Sequence, residues 1–177
     1  MNMHLLIIVT SLLFVFIFNS FFVVQQQTCV IVERLGKFQR IAKAGLNFKI
    51  PFLETIKSTM SLRIHQLDVD VETKTKDNVF VRMIVVVQYK ILETKIFEAC
   101  YTLHDPVEQI KAFVFDLVRA QIPLMELDDV FSKKDDVANA VRNELRIPMS
   151  DFGYEIIKTL VTDIDPDAQV KTAMNEI

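Results

Sequence analysis

None of the first 24 residues is charged, whereas all 43 Lys, Arg, Asp and Glu side chains lie beyond them. Within that leader, Leu5 to Val24 reads LLIIVTSLLFVFIFNSFFVV, with sixteen apolar residues and four small or polar ones, Thr10, Ser11, Asn19 and Ser20. As one helix, twenty residues rise about 30 Å, the thickness of a bilayer's hydrocarbon core. The run therefore predicts a transmembrane helix bounded by Leu5 and Val24. A cleaved signal peptide fits less well. No Lys or Arg precedes the run, no A-x-A-like site precedes Gln25, and the run exceeds the usual apolar region of such a peptide. A hydrophobic hairpin lodged in one leaflet is the third reading. Arg34, Lys37, Arg40 and Lys43 follow the run closely, so the positive-inside rule predicts a single-pass protein with its domain in the cytoplasm.

Beyond the leader the chain has the composition of a globular domain. Its 43 charges in the remaining 153 residues are about 28%, near the ordinary share. A segment of that length buries roughly two thirds of its unfolded surface. A net charge of −3 gives no basis for nucleic-acid binding, and three glycines are too few for a Gly-rich phosphate loop.

Periodicity outlines the elements. Thr28 to Arg34 reads as a strand. Leu46, Phe48, Ile50 and Phe52 alternate with Asn47, Lys49 and Pro51, which predicts a half-buried strand packed on the core, with a dip into the membrane as the alternative. Leu67, Val69 and Val71, a Lys76-Asp77-Asn78 turn, and the face Val79, Val81, Met83, Val85, Val87 and Tyr89 predict a hairpin. Asp105-Pro106-Val107-Glu108 opens a helix whose buried stripe is Ile110, Phe113, Val114, Leu117 and Val118, ending at Ile122-Pro123. Ser132 with Asp135 resembles a second capping box, before a helix buried through Val137, Val141 and Leu145. Gly153 to Asp165 reads as a strand. Asp165-Pro166 then opens a last helix with Val170, Ala173, Met174 and Ile177 on one face and no stop signal.

Little of this points to chemistry. His4, His65 and His104 match no metal motif, and neither cysteine has a nearby histidine. Asp128-Asp129 and Asp135-Asp136 read as caps and solvated faces. No catalytic, cofactor-binding or metal site is expected. Cys100 reads as a buried thiol. Cys29, five residues past the apolar run, reads either as a small strand residue or as a site of S-palmitoylation at headgroup level.

The runs VERLGKFQRIAKAGLNFKIPF (Val32 to Phe52), QLDVDVETKTKDNVFV (Gln66 to Val81), AFVFDLVRAQIP (Ala112 to Pro123), LDDVF (Leu127 to Phe131) and GYEIIKTLVTDIDPD (Gly153 to Asp167) resemble the SPFH or Band 7 family of stomatins, prohibitins and flotillins. The likeness is greatest to the hypersensitive-induced-response branch, through QLDV-x-x-ETKTKDNVFV and the final VKTAMNEI, Val170 to Ile177. The resemblance implies an α+β domain of antiparallel strands and amphipathic helices on a membrane, followed by a coiled coil that builds large homo-oligomers. It further implies a non-enzymatic, cofactor-free scaffold that organises membrane microdomains and modulates proteases, channels or receptors, with plasma membrane favoured over organelle. The expected division is an anchor over residues 1–24, an SPFH domain over 25–165, and the start of a coiled-coil helix over 166–177. Plant members of that branch begin Met-Gly and look myristoylated; this chain begins Met1-Asn2-Met3, so the apolar run would replace that lipid. The segment 166–177 is too short to hold subunits together, so a ring is expected only of a form continued into the coiled coil.

Overall fold

The structure is a computed structural model that describes residues 3–166, the side chains of residues 4–6, 12, 13 and 15 excepted. It divides into two compact units, Met1–Arg63 and Ile64–Ile177. All strand pairings are antiparallel, so the α+β expectation holds.

The first unit begins with helix α1, Met3–Phe18. The helix does not reach Val24. Ser20 closes it, its amide donating to the Ile17 carbonyl at 3.1 Å and its hydroxyl to the Phe16 carbonyl at 2.8 Å. The next four residues, Phe21–Val24, are aromatic and β-branched strand formers and make strand β1. They pair with β4, Gly45–Phe48, in the register Phe21↔Phe48 to Val24↔Gly45. A 16-residue helix rises only about 24 Å. Among the described residues no helix is long and apolar enough to cross a membrane, which corrects the predicted span from Leu5 to Val24. Leu5 falls within α1, but Val24 is a core residue, 3% exposed. Without a span, the positive-inside argument lapses.

A three-stranded sheet completes this unit, in the order β3-β2-β5, from Lys37–Ala42, Thr28–Arg34 and Glu54–Ser61. Val24, Val30, Val32 and Ala42 form a small core with Phe22 against it. The strand predicted through Phe52 stops at Phe48, and its apolar residues point the other way: Leu46 and Phe48 are exposed, while Phe22 and Val24 turn inward.

The second unit is a β6-β7-β8 sheet backed by helices. Strands β6, His65–Lys74, and β7, Phe80–Ile91, form the predicted hairpin without a register shift, and Val69, Val71, Val81, Met83, Val85 and Val87 are buried. Strand β8 runs Tyr154–Pro166. Asp165 and Pro166 still pair in this strand, Pro166 opposite Val81, and the helix expected to follow them lies outside the described residues. The oligomerisation stripe Val170, Ala173, Met174 and Ile177 lies outside the described residues. Between β7 and β8 come α2 (Ile96–Tyr101), α3 (Pro106–Gln121), a 3₁₀ turn (Ile122–Leu124), α4 (Leu127–Ser132) and α5 (Lys134–Asp151). Asp105 caps α3 as predicted, accepting from the Val107 and Glu108 amides at 3.0 and 3.1 Å. The predicted cap at Ser132 is absent. Burial of Leu127 and Val130 starts a helix upstream, Ser132 becomes its last residue, and α5 starts after Lys133 with no side-chain cap. The apolar stripes of α3 (Ile110, Val114, Val118) and α5 (Val141, Leu145, Met149) close the core, α3 against β6 and α5 against β8.

Candidate functional site: an apolar, basic end of the first unit

Helix α1 is apolar all round. Ile7, Ile8, Val9, Phe14, Ile17 and Phe18 are all exposed, an arrangement that a globular core or a lipid phase must satisfy. The outer face of the β1–β4 ribbon continues it. Phe21 pairs with Phe48 and Val23 with Leu46, and all four side chains face outward, Val23 and Leu46 at 74% and 71% exposure. The Phe21 and Phe48 rings meet edge to face at 5.7 Å. The two surfaces are joined at Ser20, whose carbonyl accepts from the Lys49 amide at 2.7 Å.

Two turns complete this end. The β2–β3 turn presents Leu35 and the turn before β5 presents Phe52, at 77% and 93% exposure. Both backbones are left-handed, φ +51° and +67°, a conformation that costs a residue with a Cβ about 1–2 kcal/mol. These outward-facing apolar side chains make this end a candidate contact surface. The turns are tied together, the Leu35 amide donating to the Leu53 carbonyl at 3.1 Å.

Glu54 fixes the second turn from beneath. Its carboxylate, 3% exposed, accepts from Arg34 at 2.7 Å and from the Ile50 amide at 3.1 Å, with Arg40 at 3.5 Å. Arg40 also donates to the Phe48 carbonyl, so one buried carboxylate and two arginines hold the ends of β2, β3, β4 and β5 in place. Burial by itself would raise the Glu54 carboxyl. The Arg34 hydrogen bond, the Ile50 amide and the Arg40 charge outweigh it and hold the carboxyl below its usual value.

Cys29 is 1% exposed inside β2, between β3 and β5, with its Sγ 3.8 Å from the Met60 carbonyl. An acyl chain has no path to that sulfur while the sheet is intact. Cys100 is half-buried, not fully buried as expected.

The second unit offers less to a ligand. Among the described residues no group of three His, Cys, Asp or Glu is placed to hold a metal ion. His65 and His104 are exposed, His65 stacked on Tyr89 at 5.6 Å. A cavity of about 360 Å³ is lined by Leu92, Arg146, Ile147, Ser150, Asp151 and Glu155, without a histidine or thiol. The TKTKDNVFV motif serves the fold: the Asp77 carboxylate accepts from Thr75 at 2.5 Å and from the Leu127 amide at 3.2 Å, so the hairpin turn holds the start of α4.

The SPFH domain / Band 7 family matches residues 22–176. The chain belongs to this family. It is 44% identical over 155 residues to Hypersensitive-induced response protein 4 of Arabidopsis thaliana, covering 87% of this chain and 53% of that protein. An uncharacterized protein of Methanothermobacter thermautotrophicus is 29% identical over 175 residues, 98% of this chain and 54% of the relative. Stomatin-like protein 2, mitochondrial, of Homo sapiens is 27% identical over 152 residues, 85% and 42% respectively. The chain thus spans about half the length of the curated relatives it matches. SPFH proteins associate with membranes and commonly oligomerise.

Proposed function

We propose that this SPFH protein is a non-enzymatic membrane scaffold that docks on one leaflet through α1 and the outer face of the β1–β4 ribbon. The observation that carries the reading is that ribbon face. Phe21, Val23, Leu46 and Phe48 stand outward as a continuation of an apolar helix. Left in water, four such side chains forgo several kcal/mol of burial; against acyl chains they regain it. The matching family supports a role in organising microdomains and modulating membrane proteins such as proteases, channels or receptors. Homo-oligomerisation through the 166–177 segment and its continuation belongs to the same proposal.

The test is fractionation of the native membrane followed by sedimentation of the detergent extract. The full chain should resist salt and alkaline carbonate, and a form extended into a coiled coil should sediment as a large homo-oligomer. Recovery in the carbonate supernatant refutes docking; a monomer in both forms refutes the scaffold and leaves a module for a single membrane partner.

A further inference from the structure

We propose that the docking end selects anionic lipid, with Lys37 and Lys49 contacting negatively charged headgroups. The inference rests on the leaflet-docking reading and adds its lipid chemistry.

Charge is divided unequally along the chain. Residues 1–63 hold seven Lys and Arg against two Asp and Glu, net +5, whereas residues 64–177 hold thirteen against twenty-one, net −8. Four of those seven cations, Arg34, Lys37, Arg40 and Lys49, lie beside the apolar surface. Lys37 lies between Leu35 and Phe38, both exposed, and Lys49 lies between Phe48 and the turn that carries Phe52. The arginines of the same end serve another purpose, since Arg34 and Arg40 are held by Glu54. Lys37 and Lys49, by contrast, pair with no carboxylate among the described residues. Apolar tips separated by unpaired lysines suit a leaflet boundary: the tips enter the acyl region while the long lysine stems keep their ammonium groups among the headgroups. A protein partner would be expected to cover the tips with a matching apolar pocket. Cations alternating with the tips are complementary to a negatively charged surface.

Each lysine at an anionic surface should favour it about fivefold, and the pair roughly thirtyfold. The test is the equilibrium distribution of the full chain between two vesicle populations, phosphatidylcholine alone and phosphatidylcholine with phosphatidylserine. The expected result is a strong bias to the phosphatidylserine vesicles that high salt abolishes. K37Q/K49Q should lose most of the bias, whereas K134Q/K158Q, removing equal charge from the second unit, should keep it. An even distribution of the parent chain, or equal loss in both double variants, overturns the lipid selectivity and leaves docking intact. Absence from both populations overturns docking and the selectivity with it.

Discussion

Replacing Leu46 and Phe48 by threonine separates a lipid-facing surface from a misread core. Threonine keeps the strand propensity of β4 and removes the apolar surface. Burying a whole Leu or Phe side chain is worth about 1.5–3 kcal/mol. Leu46 is 71% and Phe48 52% exposed, so roughly half to two thirds of that is available to a lipid phase. The pair then contributes about 2–3 kcal/mol to docking. At 1.4 kcal/mol per factor of ten, L46T/F48T should leave vesicles about 30- to 140-fold faster than the parent. Folding should barely respond. The Phe21–Phe48 ring contact is worth about 1 kcal/mol, so Tm should fall by only a few degrees. The assay is transfer of labelled protein from donor to acceptor vesicles, with thermal unfolding in parallel. An unchanged transfer rate would refute the docking face. A collapse of Tm would show that the two side chains belong to a core.

Three other outcomes follow from the packing. Gly153 is left-handed at φ +87°, and a Cβ there would lie 2.4 Å from the Lys95 carbonyl and 2.9 Å from the Ala99 amide, backbone atoms of α2 and the residue before it; G153A should therefore cost about 3–4 kcal/mol in urea unfolding, and a loss under 1 kcal/mol would contradict the clash. Because the folded Glu54 carboxyl is held below its usual value, its contribution is complete above the range where an unfolded carboxylate titrates and fades as pH falls through the lower folded range. E54Q should accordingly cost about 1–2 kcal/mol at neutral pH, discounted because Arg34 and Arg40 are part-exposed, and a penalty undiminished in acid would refute the ion-pair origin. Cys29 should resist a thiol reagent and hydroxylamine-sensitive acyl exchange until the protein unfolds, whereas Cys100 should react sooner; an acyl group removed by C29S would show that the sheet opens in the cell.

The second unit was legible wherever one face of an element is buried and the other wet. The Leu67-to-Tyr89 hairpin and the Asp105-capped helix follow from alternation and capping, because the strand pairing and the cap each join residues close in sequence. The first unit obscured itself. Phe21 to Val24 are as apolar as the helix before them, so hydropathy could not mark the change from helix to strand; the available signal was Asn19-Ser20 followed by four strand formers. Leu46, Phe48 and Phe52 obeyed the alternation of a buried strand, but alternation fixes which residues share a face and not which phase that face meets. Strands β3 and β5 carry too many exposed polar residues to stand out. Glu54 was not legible, because a lone carboxylate in an apolar run gives no sign of the two arginines, 20 and 14 residues earlier, that surround it. Leu35, an apolar residue in a turn before Gly36, was the clearest sign in the sequence of an exposed apolar end.

Leaflet docking is tested most directly by depth. A fluorophore attached at Leu46→Cys in a C100S background reports its surroundings, since Cys29 is buried from the reagent. With the full chain bound to vesicles whose acyl chains carry bromine, strong quenching is expected at position 46. Quenching no greater than with unbrominated vesicles would contradict leaflet docking.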